Sequence, residues 1–175
     1  MAKIIKGPWT IKWGENTITD VTEIAFNYDQ ATNDYDTVQG DNYQLEGNIT
    51  SSVDLTLLAS DVPVLRVLFP QYYVAPGEKL STGETVSNES GSEGAIDIVA
   101  AQCDTSDITY PLDIISCNGE VTRIPNAKTS LSGIDIDGTG ARTVTVSFRK
   151  MPATDGESTY GAVQTFAEGT VEAES

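Results

Sequence analysis

The chain has no histidine, and between Trp13 and Leu65 it has no lysine or arginine. The first absence removes the commonest general base and metal ligand. The second leaves ten acidic residues in that stretch with no base among them. No run of eighteen apolar residues occurs, so no membrane-spanning helix is expected. The opening Met-Ala-Lys-Ile-Ile-Lys-Gly-Pro lacks the apolar core of a signal peptide, and synthesis and use without Sec export are expected. The two cysteines, Cys103 and Cys117, match no metal or redox spacing. If residues 96–101 and 111–117 form a hairpin, the thiols lie at its opposite ends, so free thiols are expected rather than a disulfide. There is no P-loop, no G-x-G-x-x-G and no G-x-S-x-G.

What is present is strand pattern and negative charge. The 175 residues are enough to bury one core, so a single domain, 1–175, is the expectation. The net charge of −16 opposes ordinary binding to nucleic acid or an anionic membrane, because phosphates are repelled. Residues 9–13 alternate apolar and polar. In residues 21–29, Ile24, Phe26 and Tyr28 face one way and Glu23, Asn27 and Asp29 the other. Residues 35–46 read as a weaker strand region interrupted by Gly40-Asp41-Asn42. The clearest strand is 49–59, with Ile49, Ser51, Val53, Leu55 and Leu57 opposite Thr50, Ser52, Asp54 and Thr56. One helix is predicted over 62–69: Ser60 or Asp61 caps it, Pro63 falls in the first turn, and Pro70 stops it. Val62, Leu65, Leu68 and Phe69 form its apolar stripe, which needs a sheet to lie on.

Residues 76–94 are rich in Gly, Ser, Glu and Thr and read as a long, mobile, exposed loop. Further strands follow over 95–101, 110–117, 120–124, 132–136 and 143–150. Asn118-Gly119 predicts a type I′ hairpin turn. The tail, 168–175, is acidic. The sum is a mainly β chain, a β-sandwich or barrel of two packed sheets with one short flanking α-helix.

Few residues carry chemistry. Asp135-Ile136-Asp137-Gly138-Thr139-Gly140 resembles a calcium loop but lacks a third spaced carboxylate and a closing Glu, so a plain tight turn is expected. The sequons at Asn48 and Asn88 mean nothing without export. Paired carboxylates for glycoside cleavage stay open, but acids are so abundant that their presence discriminates nothing. Trp9 and Trp13 share one strand face, as a sugar platform would, although packing is the plainer reading. No metal, cofactor or catalytic residue is expected.

From Val21 onward the order of features resembles the tail tube proteins of long-tailed, siphophage-type bacteriophages. The matching run is Phe26-Asn27-Tyr28-Asp29, then a polar loop and Val38-Gln39-Gly40-Asp41-Asn42-Tyr43. The strand Val53-Asp54-Leu55-Thr56-Leu57-Leu58-Ala59 follows, and then Ser60-Asp61-Val62-Pro63-Val64-Leu65 and Leu68-Phe69-Pro70. Late in the chain come Ile124-Pro125-Asn126-Ala127-Lys128 and the closing Val146-Ser147-Phe148-Arg149-Lys150-Met151-Pro152. The resemblance covers roughly residues 20–152.

It implies a non-enzymatic virion protein of the phage tail, made in the host cytoplasm. Subunits would form hexameric rings that stack into a tube, four strands from each lining a lumen through which DNA passes without specific binding. Tail tip, terminator and tape-measure proteins would be the other partners. A long loop, here 30–42, would reach the neighbouring subunit, with Gln30, Asn33, Asp34, Tyr35, Asp36 and Asp41 in it. An acidic lumen keeps a duplex, with one phosphate per ~1.7 Å, from adhering to the wall. The expected lumen-facing set is the polar face opposite Ile24, Phe26, Val53 and Leu55: Glu23, Asn27, Asp29, Glu46 and Asp54. The alternatives are a contractile-type inner tube, a capsid decoration protein, a solvated outer sheet face of no special role, and an acidic carbohydrate-binding module or glycosidase.

Overall fold

A computed structural model describes residues 2–58, 60–99, 108–151, 161 and 163–169. The strands are β1 (Thr10–Trp13), β2 (Asn16–Ile18), β3 (Val21–Asp36), β4 (Asn42–Leu57), β5 (Tyr73–Val74), β6 (Ala95–Ile96), β7 (Tyr110–Ile115), β8 (Val121–Ile136), β9 (Arg142–Lys150) and β10 (Gln164–Phe166). One helix, α1 (Val62–Leu68), follows β4. The main sheet runs β2-β1-β7-β8-β9-β4-β3, with β10 beside β8, and a two-stranded sheet pairs β5 with β6. Over its described residues the chain is thus a mainly β sandwich with one flanking α-helix.

Strand β8 belongs to both layers. Its first half pairs with β7, and residues 127–136 pair with β9. The core lies between the layers. Val53, Leu55 and Leu57 of β4 and Val144, Val146 and Phe148 of β9 alternate inward, against Ile11 and Trp13 of β1 and Leu112 and Ile114 of β7. Trp13 is fully buried. Its indole packs T-shaped with Phe148 across the layers at 5.9 Å between ring centroids, and its Nε1–H donates to the Ala127 carbonyl at 3.1 Å. Packing is therefore the role of Trp13, and half-exposed Trp9 lies outside β1.

The helix forms where its signals stand. Asp61 accepts from the Val64 N–H, Pro63 sits in the first turn, and Pro70 follows the C-cap. Leu68 and Phe69 are buried, whereas Val62 and Leu65 are half-buried. The buried Thr129 hydroxyl of β8 donates to the Leu68 carbonyl at 2.6 Å, satisfying one of the helix's free C-terminal acceptors.

The hairpins share one turn chemistry. At residues 37–41, 116–120 and 137–141 the first residue's N–H donates to the fifth residue's carbonyl, and a glycine, Gly40, Gly119 or Gly140, donates back to the first. Each of these glycines has φ between 84° and 91°, a left-handed conformation that closes a three-residue loop as a bulge. The first side chain, Thr37, Ser116 or Asp137, accepts from the fifth residue's amide. Asn118-Gly119 thus makes the expected hairpin, but with only Gly119 left-handed, so the turn is not type I′. The plain turn expected within 135–140 is made by residues 137–141, with Asp135 and Ile136 still in β8. Hydrogen bonds from the Thr139 hydroxyl and amide hold the Asp137 carboxyl below the ordinary carboxylate range.

Two expectations are corrected and one stands. Residues 30–42 are no loop: β3 continues to Asp36, β4 begins at Asn42, and only a tight turn separates them. Residues 76–94 form the long, mostly exposed loop expected; it carries its own hydrogen bonds, with Val86 donating to Glu78 and Leu80 to Glu84, and the β5–β6 pair closes its base. Residues 96–101 and 111–117 form no hairpin among the described residues, since β6 pairs with β5 and β7 with β1 and β8. Cys117 is an exposed free thiol. Cys103, residues 152–160 and most of the acidic tail lie outside the described residues.

Candidate functional site

The distinctive surface is built by two hairpins that outrun the core. Side chains of β4 are buried from Ser51 to Leu57, on alternate positions, but every residue from Asn42 to Thr50 is exposed. The β3–β4 ladder nonetheless continues to Asp36 opposite Asn42. The result is an arm of nine residues on β4 and eight on β3, roughly 26–30 Å long at ~3.3 Å per residue. The β8–β9 hairpin outruns the core only briefly at the other end, since Val144 is buried opposite Ile134, and it carries Ile134 and Ile136 with 58% and 70% of their surface exposed.

Together β3, β4, β9 and β8 form a four-stranded antiparallel unit. Among the described residues β3 has no strand on its outer edge, and residues 128–136 of β8 pair only with β9. Two free edges of this length would be a liability in a solitary domain.

The register decides which side chains share a face. Asp54 lies opposite Ala25 and Ser147, and Ser52 opposite Asn27 and Arg149, so Glu23, Asn27, Asp29 and Asp54 share the face turned away from the core. Asn27 donates to the Asp54 carboxylate at 3.1 Å. Asp29, Thr50, Ser52 and Arg149 line a shallow depression there.

Glu46 is not on that face. A bulge places Gln30 opposite Ile49 but Thr32 opposite Glu46, with one extra residue on β4. Glu46 therefore turns to the core-side face, where it accepts from Gln30 Nε2 at 3.1 Å. Gly47 sits at this bulge, and a Cβ there would stand 3.2 Å from that of Ala31. Strict alternation through 46–54 misses the flip, and Gly47-Asn48 is the signal that marks it.

The outward face is also less uniformly acidic than the β3–β4 sequence implies. Arg149 and Lys128 lie on it, in one cross-strand row with Ser52 and Asn27, and Asp135 adds a further acid. These bases fall far along the chain from the acids, and only the pairing of β4 with β9 unites them.

Along the arm, Asn33 lies opposite Leu45, Asp34 opposite Gln44 and Tyr35 opposite Tyr43. Asp36 accepts from Asn42 Nδ2 at 2.7 Å, and the Asp41 amide donates to Thr37. Tyr35, Tyr43 and Leu45 are all more than half exposed. Among the described residues no cluster of His, Cys, Asp and Glu could hold a metal ion, and no helix is long and apolar enough to cross a membrane.

No family profile matches the sequence, and no curated protein matches it either. Solved structures do match. The cap that terminates the tube of the anti-feeding prophage aligns with a TM-score of 0.56 at 10% identity, over 95% of this chain and 94% of that one. The sheath/tube terminator of the extracellular contractile injection system PVC, in its extended state, gives 0.54 at 13% identity over 95% and 99%. A chain of the PVC sheath-tube complex gives 0.54 at 11% over 94% and 90%. The fold of this chain is thus the fold of components of phage-tail-like tube and sheath assemblies.

Proposed function

We propose that this chain is a non-enzymatic structural subunit of a phage-tail-like tube. The observation that carries the reading is the four-stranded unit with two free edges, on a fold shared with tube-terminating proteins. Three antiparallel steps separate β3 from β8, so the two edges run in opposite directions. In a cyclic ring each copy's β3 then meets the next copy's β8 antiparallel, and closure removes both edges.

In this reading six copies close one ring and rings stack into a tube. Glu23, Asn27, Asp29 and Asp54 line the channel, and the β3–β4 arm with Gln30, Asn33, Asp34, Tyr35, Asp36 and Asp41 reaches a neighbouring subunit. DNA passes through, and tip, terminator and tape-measure proteins are the partners. A second reading, a terminator that caps a tube made by another protein, is favoured by two neighbours being terminators.

Electron microscopy of the purified protein tests both. Long tubes support the tube subunit, and isolated rings that do not stack support the terminator. A protein that stays monomeric at all concentrations overturns both, and a monomer that retains a glycan would indicate a carbohydrate-binding module.

A further inference from the structure

We propose that the ring interface contains an apolar seam, in which Ile134 and Ile136 of one copy lie on Ile24, Phe26 and Tyr28 of the next. This rests on the ring reading above and adds to it a register and an occupant, a second copy of this chain. The starting point is a set of large apolar side chains that the fold leaves uncovered. Phe26 and Tyr28 are 48% and 60% exposed, and both lie on the core-side face of β3. Ile134 and Ile136 lie on that same face of β8, at the opposite edge of the unit. When an edge pairs with an edge the faces are continuous, so both patches end on one side of the joined sheet.

Their heights along the strands differ at first sight. Ile134 lies opposite Val144, Val144 opposite Leu57, and Leu57 opposite Val21, so Ile134 is level with Val21 rather than with Phe26. Ring closure changes this. Strands in a closed barrel tilt by ~35–45°, and four strands at ~4.8 Å span ~19 Å, so adjacent copies are staggered by ~13–19 Å, about four to six residues. In one direction the stagger carries Ile134 past the start of β3, where there is no strand to pair with. In the other it carries Ile134 up to Phe26 and Tyr28.

Alternation then narrows the register. A stagger of five would turn every β8 side chain to the wrong face, which leaves four or six. Allowing for the bulges, four sets Ile136 beside Ile24, Ile134 beside Phe26 and Leu131 beside Tyr28. Six sets Ile136 beside Phe26 and Ile134 beside Tyr28. Either way the isoleucines land on the exposed aromatic strip. Such a seam supplies attraction that does not depend on charge, between subunits that each carry −16.

Mixed cross-linking tests the seam. With Cys103→Ser and Cys117→Ser as background, Phe26→Cys, Ile134→Cys and Ile136→Cys are made singly and mixed in pairs before assembly and oxidation. A disulfide-linked dimer is expected from Phe26→Cys with Ile134→Cys at a stagger of four, or with Ile136→Cys at six, and none from Phe26→Cys alone. Linkage within Phe26→Cys alone, or none in either mixture while microscopy shows rings, overturns the seam and leaves the ring reading standing. If the unsubstituted protein forms no rings, the ring reading fails and the seam falls with it. A second variant, Ile134→Asp with Ile136→Asp, should keep its monomer melting temperature and lose rings, and rings that persist in it overturn the seam.

Discussion

At the residue scale the fold depends on a few side chains that satisfy two demands at once. Trp13 fills the space between the layers and also ties β1 to β8 through its indole N–H. Thr129 is buried in β8 yet closes the end of α1. Arg123 pairs with Asp113 at 2.6 and 3.0 Å and lies over the Phe166 ring at 5.2 Å, holding β10 against β8. The helix distributes its weight unevenly. Leu65 is half-buried, whereas Leu68 is 1% exposed and stands beside the Thr129 contact. Leu68→Ala should therefore lower stability by ~2–5 kcal/mol through the cavity it leaves, and Leu65→Ala by clearly less. Urea unfolding of the two variants checks this. Equal losses would mean that α1 sits on the sheet through Leu65 as much as through Leu68.

At the scale of elements, the sequence was most readable where local chemistry and burial agree. The helix bounds followed from Asp61, Pro63 and Pro70, and strand β4 from the alternation of Ser51, Val53, Leu55 and Leu57. The arm was only partly readable as strand, as the weak region 35–46, and its β3 side was read as loop. With no core behind it, residues 30–36 carry no apolar alternation, and their extended form comes from β4 alone. Residues 76–94 are bound through backbone bonds, which composition does not reveal. The candidate face was half readable: the period of two gave Glu23, Asn27, Asp29 and Asp54, but the bulge at Gly47 displaced Glu46, and Lys128 and Arg149 joined only through distant pairing. The arm has its own test. Replacing residues 32–46 with Asn-Gly removes matched lengths of both strands beyond Gln30 and Ile49, leaving the bulge to be closed by the new turn. The product should melt within a few degrees of the parent, because nothing in the removed segment is buried, and should no longer form tubes or rings. Normal assembly by the shortened protein would mean that the arm is not an intersubunit element.

At the scale of the whole molecule, the proposed assembly raises the matter of what so much negative charge would do in it. Each copy adds Glu23, Asp29, Asp54 and Asp135 to the outward face of the four-stranded unit, against Lys128 and Arg149. The balance on that face is two negative charges per copy, far less one-sided than the β3–β4 sequence read alone. A channel wall of this kind repels a duplex weakly and everywhere, and its few bases are set among acids rather than gathered into a binding track. Such a balance is easily tipped. Glu23→Lys with Asp54→Lys would change the face from −2 to +2 per copy. Glu23 is exposed, and Asp54, although partly covered, loses one exposed hydrogen bond to Asn27, so monomer folding should change little. If this face lines the channel, assembled particles of the double variant should retain duplex DNA after washing at low salt and release it steeply as salt rises, while the parent retains none. Retention across a salt series is the measurement. Equal behaviour of parent and variant would put these side chains on the outside of the particle or within an interface, and the channel would have to be sought on the opposite face.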